Sequence, residues 1–152
     1  MRVAIAYYSR HHGNTKKVLD AIADLADVTL IDAAECKKAD LSDYDMIGFA
    51  SGIYFGRFAD EVLDFARANL PAAKPVFLVQ TYGVKGNYTS GMRRIIAEKS
   101  CRLLGPYGCR GFDTFGFLRL IGGIAKGRPN ERDLEGARKF FKRLIEGETS
   151  QT

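Results

Sequence analysis

The 152-residue chain has few of the features that usually identify a function. No apolar run approaches the roughly 18 residues that a membrane-spanning helix needs. Met1 to Tyr8 holds one arginine and a short apolar run, without the long apolar region or small-residue cleavage site of a secretion signal. These absences point to a cytoplasmic protein with no membrane span. There are three cysteines, Cys36, Cys101 and Cys109, an odd number with no CxxC spacing. A zinc cluster is therefore excluded, and free thiols in a reducing compartment are expected. The positions six after each cysteine are Ser42, Tyr107 and Phe115, so no Cys-x5-Arg phosphatase motif exists. A GxxxxGK[ST] phosphate loop is missing, and so is a GxGxxG fingerprint after the first apolar run.

What is present is an ordinary globular composition, with 46% hydrophobic and 27% charged residues. The length suits one domain spanning 1–152. The formal charge of +5 is unevenly spread. Residues 1–75 carry 9 basic and 11 acidic side chains, whereas residues 76–152 carry 14 and 7. The excess lies between Lys85 and Arg128, with 9 basic residues against 2 acidic ones. That stretch lacks the aromatic interleaving of a nucleic-acid motif, so no nucleic-acid partner is expected.

Periodicity gives the order of elements. Val3 to Tyr8 is a continuous apolar run, the pattern of a strand buried on both faces. Helical spacing follows over 13–26, then a short strand over 28–31 and a buried strand over 45–51. An amphipathic helix is expected over 58–70, stopped by Pro71, and a strand over 75–81. A helix over 90–104 ends at Gly105-Pro106, a fifth strand lies around 109–114, and a last helix covers 129–145, with Pro129 in its first turn and Asn130 or Asp133 as cap. Residues 147–152 read as a frayed tail. This alternation predicts an α/β fold: a doubly wound, five-stranded parallel sheet of strand order 2-1-3-4-5.

In such a sheet ligands bind beyond the carboxyl ends of the strands, at the switch point. Three loops qualify. The first, Ser9-Arg10-His11-His12-Gly13-Asn14-Thr15, joins a buried strand to a helix N-terminus, which makes an anion site. Ser9, Asn14 and Thr15 bring short hydrogen-bonding side chains, and His11 and His12 bring ring N–H donors. Gly13 lets the backbone approach closely. In the second, Ser51 to Phe58, the aromatics Tyr54 and Phe55 beside Gly52 and Gly56 suit a planar ring. The third runs from Thr81 to Tyr88, with Tyr82 the best candidate for stacking and Gly83 and Gly86 free to offer backbone groups. Receiver-type chemistry needs acidic residues after the first and third strands, where this chain has Ser9 and Ser51.

Tyr8-Ser9-x-x-x-Gly13-Asn14-Thr15 after the first strand resembles the phosphate loop of the flavodoxin family. The resemblance covers essentially the whole chain through its element order. It implies a flavodoxin-like fold and FMN as cofactor, with the phosphate on Ser9 to Thr15 and the ring between Ile53, Tyr54, Phe55 and Gly56 on one side and Thr81, Tyr82, Gly83, Gly86 and Asn87 on the other. Family members usually carry Ser or Thr where this chain has Arg10, His11 and His12. Gly52-Ile53-Tyr54-Phe55-Gly56 is also similar to the corresponding loop of FMN-dependent quinone and NAD(P)H reductases. The implied function is electron transfer of flavodoxin type, with a redox partner protein. The alternative is an FMN-dependent oxidoreductase acting on a small anionic or aromatic substrate, such as a quinone, porphyrinogen or NAD(P)H. Lys85 could lie near the pyrimidine edge of the ring and raise its potential. One segment does not fit a minimal flavodoxin: Phe115 to Arg128 is apolar, glycine-rich and basic, and is read as a packed connection, a substrate lid, or a docking or subunit surface.

Overall fold

The computed structural model describes residues 1–151. Five parallel strands, β1 (Arg2–Tyr8), β2 (Asp27–Asp32), β3 (Met46–Tyr54), β5 (Pro75–Tyr82) and β6 (Arg102–Arg110), form a sheet in the order β2-β1-β3-β5-β6. A two-residue strand, β4 (Arg57–Phe58), pairs antiparallel with the end of β3. Leaving β4 aside, this is the 2-1-3-4-5 order expected from the alternation of elements. Helices α1 (Asn14–Ala23) and α4 (Glu131–Thr149) cover one face, and α2 (Asp60–Asn69) and α3 (Ser90–Glu98) cover the other.

The two cores follow from the strand's period of two. In β1, Val3 and Ile5 pack with Val18, Leu19 and Ile22 of α1 and Phe141 of α4. Ala4 and Ala6 point to the opposite core, with Val62, Phe65 and Ala66 of α2 and Met92 and Ile95 of α3. Burial on both faces accounts for the unbroken apolar runs of β1, β3 and β5. Among the described residues no helix is long and apolar enough to cross a membrane.

Several boundaries differ from the sequence expectation. The third helix ends at Glu98 rather than near Leu104, and the fifth parallel strand begins at Arg102 rather than near Cys109. Leu103 and Leu104 continue the helical spacing, yet they belong to a strand that contains Gly105 and Pro106. β6 is an edge strand with one partner, so a proline there loses no ladder bond on its open side. The pairing with β5 slips at Val76/Phe77, beside Gly105, which has a φ of 140°. Pro129 precedes the last helix instead of opening it. Asn130 is the cap, and its side chain and that of Asp133 form a reciprocal capping box at 3.1 and 2.8 Å. That helix runs on to Thr149, into the expected tail; Thr152 lies outside the described residues.

Candidate functional site

The carboxyl ends of β1, β3, β5 and β6 surround a cavity of about 230 Å³. Its lining comes from the first loop (Ser9, His11, Asn14, Thr15), the second (Gly52, Ile53, Tyr54, Phe55, Gly56), the third (Thr81, Tyr82, Gly83, Val84, Tyr88) and the connection after β6 (Gly111, Phe112, Asp113, Phe115). The open side of the parallel sheet thus becomes a ligand site because the chain diverges at β1/β3, leaving a crevice between loops.

The polar wall is built around the start of α1. Gly13, at φ 65°, is the helix cap and offers no side chain to the free N–H groups. The hydroxyl of Ser9 accepts the Lys16 N–H at 3.1 Å, which folds the loop back over the first turn. Thr15 is buried, and its hydroxyl meets that of Thr81 at 2.8 Å, tying the first loop to the third. The Asn14 amide donates to the Phe112 carbonyl at 2.9 Å, while its Oδ1 is buried with no partner. Gly111 makes this approach possible, since a Cβ there would lie 2.5 Å from Asn14 Nδ2.

The aromatic wall belongs to a hairpin that sequence reading did not anticipate. β3 continues through Ile53 and Tyr54, and the chain reverses at Phe55-Gly56. Both turn residues have positive φ, 51° and 75°, as a two-residue hairpin of the I′ type requires. A phenylalanine is strained in that region and gains little from burial, being 86% exposed. Its ring instead meets Phe115 edge-on, with centroids 5.2 Å apart. The Tyr54 hydroxyl is buried without a hydrogen-bond partner, and burial pushes its pKa up, opposed by the nearby backbone N–H groups of Arg10 and His11. Burial also raises the pKa of Tyr82, whose ring sits 6.1 Å from that of Tyr88.

Several residues proposed from sequence lie elsewhere. Arg10 turns toward β2, pairing with Asp32 at 2.9 Å and Glu35 at 3.4 Å, because those carboxylates are nearer than the cavity. His12, at φ 56°, bonds Thr114 Oγ1 at 2.8 Å and packs against Phe112 outside the lining. Gly13 shapes the loop without lining the cavity. In the third loop the Gly86 carbonyl accepts from Gln80 at 3.1 Å, and Asn87 accepts from Thr89. Both serve the turn into α3 and stay outside the lining, and Lys85 is exposed beyond it.

Gly111, Phe112 and Asp113 are the main residues that sequence reading missed. They follow the true end of β6, so misplacing that strand hid them. Asp113 Oδ1 lies 3.3 Å from His11 Nε2, and the same nitrogen accepts the Thr114 N–H at 3.1 Å. The first loop is thus strapped to the segment after β6 by both histidines. Among the described residues no cluster could hold a metal ion.

The chain is similar to known proteins along most of its length. The flavodoxin domain family matches residues 4–99. An uncharacterized protein of Methanocaldococcus jannaschii is 32% identical over 148 residues, covering 95% of this chain and 99% of the relative. The fold is similar to that of a flavodoxin, WrbA-like protein from Agrobacterium tumefaciens, with a TM-score of 0.69, 20% identity and complete coverage of both chains. It is also similar to a flavoprotein from Lactobacillus acidophilus solved in complex with FMN, with a TM-score of 0.52 and 19% identity, over 72% of this chain and 92% of that one.

Proposed function

The chain belongs to the flavodoxin domain family and is a flavoprotein of the flavodoxin type; from that premise we propose that it binds FMN and exchanges electrons with a redox partner protein. The observation that carries the reading is the cavity itself, which joins a helix N-terminus with short hydroxyl and amide side chains to a lining of aromatic side chains. The residues fit the cofactor. The orphaned Asn14 Oδ1 is a buried polar atom in need of a partner at the cavity. Ser9, Asn14, Thr15 and the first-turn N–H groups of α1 would hold the phosphate. Phe55, Tyr82 and Tyr88 would flank the ring, and Gly83 leaves backbone close to it.

Bound flavin would supply one- and two-electron chemistry. The protein's own part is to bind, orient and shield. No side chain needs to act as acid or base for that role, and no paired carboxylates line the cavity among the described residues. Free thiols at Cys36, Cys101 and Cys109 suit the reducing cytoplasm, where we place the protein. Reconstitution with FMN, riboflavin and FAD, followed by flavin fluorescence quenching, tests the reading. FMN should bind about 100-fold more tightly than riboflavin, roughly 2.7 kcal/mol held by the phosphate loop. A chain that takes up no FMN, or prefers riboflavin, would overturn it.

A further inference from the structure

Exposed large apolar side chains are not scattered over this molecule. Of the seven among the described residues, Phe115, Phe117, Leu120 and Ile121 lie in or beside one short 3-10 helix (Gly116–Ile121) in the connection after β6, Phe55 and Val84 lie on the cavity rim, and Met1 is at the N-terminus. Phe117 is 74% exposed and Leu120 86%. The segment is not a loose excursion. Asp113 and Ile124 close it with a two-way backbone bridge at 3.0 and 2.8 Å, and Phe112 N–H donates to the Arg128 carbonyl at 2.9 Å. His11 and His12 fasten its root to the first loop through Thr114. Phe115 joins the knuckle to the cavity mouth by its edge-on contact with Phe55. A fixed apolar surface of this kind marks an interaction site.

Cations outnumber acidic groups along this segment, while Asp60 and Glu61 lie beside Phe55 on the far side of the rim. Arg119 and Lys126 lie within the segment and Lys85 follows Val84 on the rim; none of the three forms an ion pair among the described residues. Arg110 donates to the Gly83 carbonyl beside the same rim. Asp113 is the acidic group at this end of β6, and it faces His11. The cations with carboxylate partners, Arg102 with Glu148 and Arg128 with Asp133, are spoken for.

We propose that this knuckle is the docking surface for an acidic redox protein, whose face carries carboxylates around a small apolar centre and sits against the mouth of the cofactor cavity. The inference rests on the FMN reading for the transfer of electrons, but not for the docking itself. Apolar contact at the centre supplies residence, and the ring of cations steers encounter. One electron passes from donor to acceptor across the contact, so the reduced partner is oxidised as the flavoprotein is reduced, and the direction follows their potentials.

The test uses the FMN-loaded protein with two surrogate partners, an acidic [2Fe–2S] ferredoxin and a basic cytochrome c, in stopped-flow measurements at increasing salt. The rate constant with ferredoxin should fall about tenfold or more between low and high ionic strength, while that with cytochrome c stays flat or rises. R119E combined with K126E should cut the ferredoxin rate about tenfold and reverse its salt dependence, with FMN affinity unchanged. F117S combined with L120S should weaken the reaction at every salt concentration. Amide shifts of Phe117 to Ile121 on titration with ferredoxin read the docking without flavin chemistry, so they separate a failed surface from a failed FMN reading. Ferredoxin rates that stay flat or rise with salt, or shifts confined to other faces, would overturn the proposal. So would self-association through this knuckle by sedimentation, or its capture by anionic vesicles with no response to ferredoxin.

Discussion

The loops after β1 and β6 meet at the same cavity and are built on opposite principles. The loop from Ser9 to Thr15 is short and polar, and its side chains are tied into the molecule. Thr15 is 1% exposed and Asn14 8%. The segment from Asp113 to Ile124 is longer and apolar, and its largest side chains face outward. In the first, burial of polar groups makes every hydrogen bond costly to lose. In the second, apolar groups left in water contribute little to stability, so their presence asks for a partner rather than a core. The anchoring loop should therefore be sensitive to small changes that the knuckle tolerates.

The strongest test of that contrast is Thr15→Val. It keeps the shape but leaves the Thr81 hydroxyl without its buried partner, and should cost about 1–3 kcal/mol in urea unfolding. A loss below about 0.5 kcal/mol would mean the two hydroxyls are not a structural tie. Phe55→Asn comes next and should act in the other direction. Asparagine tolerates positive φ, so the hairpin should gain about 1 kcal/mol while FMN affinity drops with the lost aromatic wall. Loss of stability would show that the Phe55–Phe115 contact outweighs the strained turn. Leu120→Ser, on the knuckle, should change stability by less than about 0.5 kcal/mol, as expected of a side chain that contacts mainly water. A large loss would place the knuckle in the core economy of the fold and end the contrast.

The smallest effect concerns pH at the strap between the two regions. Burial, assisted by His11 and Lys17 and opposed by Asp113, lowers the pKa of His12 below its ordinary value. The unfolded chain therefore binds this proton first as pH falls. The stability that neutral His12 contributes is fully present above the ordinary imidazole pKa near 6.5, and is lost as pH falls from there through the lower folded value. His12→Gln should flatten that slope slightly in unfolding curves measured between pH 7 and 5. An unchanged slope would assign the acid sensitivity to other groups.

Much of this was readable from sequence where a physical constraint leaves few residue choices. Strands buried on two faces must be apolar throughout, so β1, β3 and β5 stand out, and the parallel order follows from their spacing by helices. Small polar residues beside the helix N-terminus after β1 stand out as well, and Ser9, Asn14 and Thr15 do line the cavity. β6 was harder to see because it is an edge strand. It carries Gly105 and Pro106 and buries little of itself, so Leu103 and Leu104 resembled a helix end. Misplacing it concealed Gly111, Phe112 and Asp113 as cavity residues. Adjacency along the chain puts Arg10 and His12 at the cavity, but competing partners 22 and 102 residues away draw them off.

Local pattern along the chain was enough for the family, the order of the sheet and the helix N-terminus with its small polar residues after β1, because periodicity and a helix N-terminus are local properties of the chain. Tertiary structure decided which of the loop side chains reach the cavity, that Phe55 stands in a strained turn against Phe115, and that the basic apolar stretch after β6 forms a fixed knuckle at the mouth. Those are contacts between residues far apart in sequence, and no local pattern encodes which of two competing carboxylates or carbonyls a side chain will meet.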